Sequence, residues 1–204
     1  PRVLGWDASG IIEEVGPEVT LFNVGDEVYY AGDITRSGSN AEYQLVDERI
    51  VGLKPKSLSF AEAAALPLTT ITAYEAFFDR LGIDRDGKNK GESVLIIGAG
   101  GGVGSIAIQL AKAAGLNIIA TASRPETTKW VKELGADHVV NHREPMVAQM
   151  HALGFEHVDH VAIFNDMSHW ETAVELIRPE GSIVTIDNTD QPMPMAGMKM
   201  KAAS

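Results

Sequence analysis

Five residues, Ser93-Val-Leu-Ile-Ile97, run directly into the glycine-rich stretch Gly98-Ala-Gly-Gly-Gly-Val-Gly104, which opens a segment of helical periodicity. In that segment Val103, Ile106, Ala107, Leu110, Ala111 and Ala114 fall at i, i+3, i+4, i+7, i+8 and i+11, and Gly115 stands where a helix ends in a left-handed residue. A strand, a glycine turn and a helix with one apolar stripe make the opening unit of a nucleotide-binding sheet. Glycines let the backbone turn sharply and approach a pyrophosphate, while the helix start offers free N–H groups and a positive dipole end. Gly101, Gly102, Val103 and Gly104 are therefore candidate cofactor-binding residues. The spacing is a variant, Ala99-x-Gly101-x-x-Gly104, with alanine at the usual first glycine. A tight strand–helix turn without a ligand is the other reading of these residues.

The same alternation continues beyond the loop. Asn117–Ala120, His138–Val140, Val158–Ile163 and Ser182–Ile186 are short apolar runs with helical stretches between them. Near-continuously apolar strands, each followed by a helix, predict a parallel sheet covered on both faces. The residues before Gly91 read differently. Gly10–Val15, Asp26–Tyr30, Ala41–Val46 and Ile50–Val51 predict short strands broken by glycine and proline, hence a small β-rich domain. Near Ser59 the pattern turns helical: Ser59 and Glu62 make a capping box, Pro67 should end or kink that helix, and a second helix is expected from Thr69 to Leu81. The expected fold class is α/β, a doubly wound parallel sheet joined to part of a β domain.

Composition sets outer bounds. The 204 residues are 45% hydrophobic and 22% charged, ordinary for a globular protein. A net charge of −11 argues against nucleic acid as a partner, because phosphate backbones need a concentrated positive surface. It leaves room for a phosphate ligand held by a few local groups. The absence of cysteine removes disulfides and thiolate metal ligands and fits a reducing compartment; no apolar run approaches the roughly 20 residues that cross a bilayer. The cytoplasm is the expected location. The chain opens at Pro1 and stops at Ser204, and we expect a piece of a longer polypeptide.

The end of the second strand of the sheet chooses between cofactors. Enzymes that use NAD usually place a carboxylate there to hold the ribose 2′-hydroxyl. Here the run is Asn117-Ile-Ile-Ala-Thr-Ala-Ser-Arg124, and no carboxylate appears before Glu126. Ser123 and Arg124 offer a hydroxyl and a guanidinium, chemistry that suits a 2′-phosphate and hence NADPH. The other reading makes Ser123 a helix cap and Arg124 a solvated charge. Phe164 and Asn165 end the fourth strand and Asn188 follows the fifth, so the rule that ligands sit at the carboxyl ends of parallel strands turns all three toward the cofactor; a capping or packing role is the alternative.

These residues, with Gly5-Trp-Asp-Ala-Ser-Gly-Ile-Ile-Glu-Glu-Val-Gly16, Val24-Gly-Asp-Glu-Val28, Ala41-Glu-Tyr43, Leu68-Thr-Thr-Ile-Thr-Ala-Tyr74 and Glu133-Leu-Gly-Ala-Asp137, resemble the medium-chain dehydrogenase/reductase superfamily along essentially the whole chain. The resemblance points to its zinc-free quinone oxidoreductase, or zeta-crystallin-like, branch, many of whose members are called zinc-type alcohol dehydrogenase-like. It implies a GroES-like β domain split around a Rossmann domain: residues 1–58 as part of the former, 59–190 as the dinucleotide-binding domain, and 191–204 as the start of a segment returning toward the last Rossmann strand. It also implies that Thr72 touches the nicotinamide side. His142, in Asn141-His142-Arg143, replaces a tyrosine that lies against the adenosine phosphate in relatives.

The resemblance further implies that no metal is held. Zinc-dependent relatives carry a histidine where this chain has Trp6 and a cysteine where it has Leu68; neither an indole nor an isobutyl group can ligate zinc. The six histidines are scattered and read as surface or loop residues. Tyr43 is expected to pack beneath the β domain, and Met193, Met195, Met198 and Met200 either line an apolar substrate site or serve as soft packing. The expected activity is zinc-independent hydride transfer from NADPH to an activated C=C or a quinone. No catalytic side chain is identified. The expected partners are a small-molecule substrate (quinone, enone or aldehyde) and a second copy in a homodimer, with no nucleic acid and no membrane. The alternatives are a non-catalytic NADPH-binding sensor or crystallin-like protein on the same fold, and a zinc alcohol dehydrogenase.

Overall fold

A computed structural model describes residues 2–187, 189–190 and 192–204. The expected Asn188 contact lies outside the described residues. Contacts divide the chain into two compact units, 1–71 and 72–204, so the division falls later than the change of composition at Ser59. The cause is packing: the first helix, α1 (Phe60–Ala64), lies on the strands of the first unit.

The first unit is built on a three-stranded antiparallel sheet of β1 (Asp7–Ile11), β2 (Glu27–Ala31) and β3 (Val51–Leu53), in that order. The first strand begins and ends earlier than the apolar pattern suggested. Pairing Asp7 with Ala31 and Ile11 with Glu27 uses up β2, and Ile12 then donates to Asp26 O at 3.0 Å as the chain turns away. The expected strand at Ala41–Val46 does not form. Its alternating side chains find no sheet to lie on, and Gln44 instead bonds Ser37 O at 2.8 Å and the Tyr30 hydroxyl at 2.6 Å. Tyr43, expected beneath the domain, is 76% exposed and Leu45 is 85% exposed.

The Ser59–Glu62 capping box forms in full, with both the side-chain and the return hydrogen bond present. That satisfies two N–H groups that a helix start otherwise leaves open. Pro67 does not kink α1, which has already ended; it is the first residue of α2 (Pro67–Tyr74), the position where a missing N–H costs nothing. The helix runs on through a wider π-type turn at Glu75–Arg80, closed by Leu81 N–H on Ala76 O at 3.0 Å.

The second unit carries a five-stranded parallel sheet: β4 (Ser93–Ile97), β5 (Asn117–Thr121), β6 (His138–Val140), β7 (Val158–Ile163) and β8 (Ile177–Thr185), ordered β6-β5-β4-β7-β8. The helices between them are α3 (Gly102–Ala113), α4 (Pro125–Glu133), α5 (Met146–Ala152) and α6 (Trp170–Leu176), with α7 (Ala196–Lys201) after β8. This is a doubly wound Rossmann-like sheet, with its strand order reversing at β4. The last strand starts earlier than expected: a register shift between Val158 and His160, with Glu180 at φ +60°, lets Ile177 join β7 ahead of the apolar run.

Alternate residues of β4 serve the two faces. Val94 and Ile96 pack with Ile118, Ala107, Ile108 and Phe77, and Leu95 and Ile97 pack with Ile119, Val161, Met150 and Leu176. Each fully buried aliphatic side chain contributes about 1.5–3 kcal/mol of transfer free energy, which fixes both register and facing. Met198 joins the second face and Met193 packs against it, whereas Met195 and Met200 are exposed. Packing therefore accounts for two of the four methionines.

Candidate cofactor site

At the carboxyl end of β4 the chain must leave the sheet and start α3 within a few residues. Gly98 does this with φ +83°, donating its N–H to Thr121 Oγ1 at 3.1 Å, while Phe164 N–H donates to Ile97 O at 2.8 Å. The ends of β4, β5 and β7 are thereby tied together at one point. Here α3 departs to one face and α6 to the other, which opens the crevice where doubly wound sheets bind ligands.

The glycines of the loop divide by environment. Gly101 and Gly102 are exposed, and a Cβ on Gly101 would meet only ordinary contact, 3.4 Å from Gly98 O. Gly104 is buried: a Cβ there would stand 2.4 Å from Gly98 O and 2.6 Å from Ala99 Cα, both backbone atoms that cannot step aside. Gly101 is the N-cap of α3 and provides no side chain to cap it. The N–H groups of Gly102, Val103 and Gly104 precede any i−4 carbonyl of their own helix, so they are donors directed out of its N-terminus.

Ser123 and Arg124 follow β5. Arg124, not Ser123, is the N-cap of α4, and its side chain makes no capping bond. Among the described residues neither side chain has a hydrogen-bond or ionic partner. Arg124 is exposed and Ser123 half-buried. Ala122 N–H donates to Val140 O at 3.0 Å, so β5 and β6 reach their carboxyl ends together; Ser123 follows the one and His142 lies in the turn after the other. His142 is half-buried, with its ring 6.0 Å from that of His169. Burial, then the neighbouring His169 and Arg143, lower its pKa below the usual histidine value.

Two polar atoms in this region are shut off from solvent without a hydrogen-bond partner among the described residues: His142 Nδ1 and Asn165 Oδ1. Leaving such an atom bare costs about 1–3 kcal/mol, so each calls for a partner such as a water or a ligand; Trp6 Nε1 and His160 Nδ1, outside this region, are bare as well. Phe164 is half-buried, with its ring centroid 6.2 Å from that of Phe77. Thr72 is half-buried in α2 and has an interaction of its own. The donors, the cation, the glycine cradle and the two bare atoms suit a nicotinamide dinucleotide.

Sequence reasoning missed two polar features. His160, read among the surface and loop histidines, is 6% exposed in β7 and bonds Glu92 at 2.8 Å. Its buried setting follows from strand position, which a search for metal spacing does not register. His169, beside His142, had no motif to mark it.

Trp6 and Leu68, the residues expected to stand where zinc-dependent relatives carry ligands, lie in the first unit. Trp6 precedes β1 and Asp7 starts it, and Asp7 Oδ1 accepts the N–H of Leu68 at 2.7 Å, so the strand and the start of α2 do meet here. The groups brought there are an indole, an isobutyl chain and a carboxylate committed to the backbone. Among the described residues no three His, Cys, Asp or Glu side chains are grouped to hold a metal ion. The donor set does not fit zinc. Nor, among the described residues, is any helix long and apolar enough to cross a membrane.

Comparison with known proteins agrees with this architecture. A family model described as alcohol dehydrogenase GroES-like domain matches residues 1–73, and one described as zinc-binding dehydrogenase matches 102–202. A zinc-type alcohol dehydrogenase-like protein of Staphylococcus aureus is 50% identical over 204 residues, 99% of this chain and 61% of the relative. A 2-methylene-furan-3-one reductase of Solanum lycopersicum is 37% identical over 203 residues, 94% of this chain and 48% of the relative. Among solved structures, one from Rhizobium etli assigned to the zinc-dependent alcohol dehydrogenases has a TM-score of 0.92 at 51% identity, covering 99% of this chain and 60% of its own. The Escherichia coli quinone oxidoreductase complexed with NADPH has a TM-score of 0.81 at 26% identity, covering 98% and 61%. The chain thus spans less than two thirds of the length of these relatives.

Proposed function

The chain belongs to the medium-chain dehydrogenase/reductase superfamily, and from that membership we propose that it is the cofactor-holding part of a zinc-independent NADPH oxidoreductase acting on a quinone or an activated C=C. The observation that carries the proposal is the pairing of an open glycine-capped helix start with a hydroxyl and a guanidinium at the end of β5. NADPH supplies the hydride when bound. The α3 N–H groups take the pyrophosphate, with the dipole of the helix favouring its charge. Ser123, Arg124 and His142 take the 2′-phosphate. Asn165 offers its bare carbonyl oxygen to a donor on the cofactor, Phe164 gives an apolar wall, and Thr72 is proposed on the nicotinamide side.

The residues at the zinc positions support an acceptor that is already activated, because nothing in that donor set would polarise an unactivated carbonyl. The chain's own contribution is then to bind, orient and shield the cofactor. That two similar proteins are a quinone oxidoreductase complexed with NADPH and a methylene-furanone reductase supports this choice of substrate class. A cytoplasmic location and a homodimer remain part of the same proposal. The test is NADPH oxidation by the whole protein that contains this chain. Turnover of quinones or enones that survives chelation supports it; turnover that is lost on chelation and restored by zinc overturns it. Binding without any turnover favours the non-catalytic alternative.

A further inference from the structure

β5 and β6 end side by side; Ser123 and Arg124 follow the first, and the turn after the second carries a half-buried imidazole, His142, with the His169 ring 6.0 Å from it. We propose that NADPH binding is proton-linked in this protein: His142 takes up a proton when the 2′-phosphate seats beside Ser123 and Arg124. This rests on the NADPH reading and deepens it.

The geometry leaves His142 without a negative partner. Its Nδ1 is closed off and unbonded among the described residues, and His169 faces it at 6.0 Å between centroids, with the rings inclined at 72°. The other titratable or charged groups of these turns and strand ends belong to three elements. Arg143 is in its own turn, Arg124 caps α4 on the adjoining strand end, and His169 precedes α6. The carboxylates of the two turns are already engaged, Glu144 by Asn141 Nδ2 at 2.9 Å and Asp166 by Ser168 N–H at 2.8 Å. Protonating His142 alone would therefore place a half-buried cation with no hydrogen-bonded anion on its Nδ1. Burial first, then His169 and Arg143, hold its pKa below the usual histidine value.

A phosphomonoester reverses that balance. It carries roughly −1.5 to −2 charges at neutral pH and presents acceptor oxygens, so a protonated imidazole beside it gains a charge-assisted hydrogen bond. The diphosphate bridge is common to NADPH and NADH, and only the 2′-phosphate distinguishes them, so the proton should accompany NADPH alone.

The experiment is calorimetric titration of the protein with NADPH and with NADH near pH 7.5, in two buffers of different ionisation enthalpy, followed by NADPH titrations from about pH 7 to 8.5, where the phosphate is dianionic. NADPH should bind with net proton uptake and lose affinity as pH rises, by up to tenfold per unit for one linked proton. NADH should show neither effect. H142Q should still prefer NADPH, through Ser123 and Arg124, but with no uptake and a flat pH profile. H169Q should keep both the uptake and the fall in affinity with pH. Tighter NADPH binding with no uptake in the wild-type protein, or equal uptake in wild type and H142Q, overturns the linkage while leaving the NADPH reading intact. Equal binding of the two cofactors overturns both. Because the wild-type comparison is decisive alone, the test holds even if a variant does not fold.

Discussion

Gly104 and Gly98 approach so closely that a single added carbon on the first would lie 2.4 Å from the carbonyl oxygen of the second. The contact is between backbone atoms, so relief requires the β4–α3 turn to move. Gly104→Ala should therefore destabilise the protein by about 1–3 kcal/mol, the usual cost of overpacking, visible in thermal melts. Gly102, exposed at the helix start, carries the contrasting prediction: Gly102→Val should melt almost normally yet show no measurable NADPH binding by titration. Normal binding by Gly102→Val would reduce the loop to a turn.

At the opposite end of the same strand, Asp159 accepts both the N–H and the hydroxyl of Ser93, each at 2.8 Å, and the Arg178 guanidinium at 2.7 Å. Burial acts to raise its pKa, but the Ser93 bonds and Arg178 outweigh it and hold the carboxyl below the usual range. With the folded pKa depressed, the stabilisation is present above the unfolded value near 4 and is lost as pH falls through the folded one. Asp159→Asn should lower stability at neutral pH by about 1.5–3 kcal/mol, the range for hydrogen bonds to a charged group, and should flatten the acid limb of a stability–pH profile below about pH 4. An unchanged acid limb would mean that other carboxylates control it.

Asp7 makes the corresponding link in the first unit, where its carboxylate accepts Leu68 N–H at the start of α2. Asp7→Ala should cost about 0.5–2 kcal/mol, as for other lost helix caps. Since Trp6 and Leu68 offer no donor to zinc, atomic emission on the purified protein should find no stoichiometric zinc. One zinc per chain would contradict the assignment of these positions.

The parallel sheet was legible because its strands are buried on both sides: β4, β6 and β7 have the bounds that the apolar runs Ser93–Ile97, His138–Val140 and Val158–Ile163 suggest. Local chemistry was equally readable where it closes on itself, as at Ser59 and Glu62. The first unit was harder. Alternation at Ala41–Val46 has the period of a strand, but a strand exists only if a neighbour pairs with it, and that information is not local. Of the proposed site, Gly101–Gly104 and Ser123–Arg124 could be named from the sequence because each group is contiguous along the chain. His160 with Glu92, and His142 with His169, are pairs made by the sheet's crossovers, so no spacing along the chain announces them.

The account turns on what the end of β5 recognises, and calorimetric titration of the wild-type protein and Arg124→Ala with NADPH and NADH measures that directly. The account predicts that NADPH binds more tightly than NADH, and that Arg124→Ala loses about 1.5–3 kcal/mol for NADPH with little change for NADH. NADH binding as tightly as NADPH, or an Arg124→Ala loss of the same size for both cofactors, would contradict it.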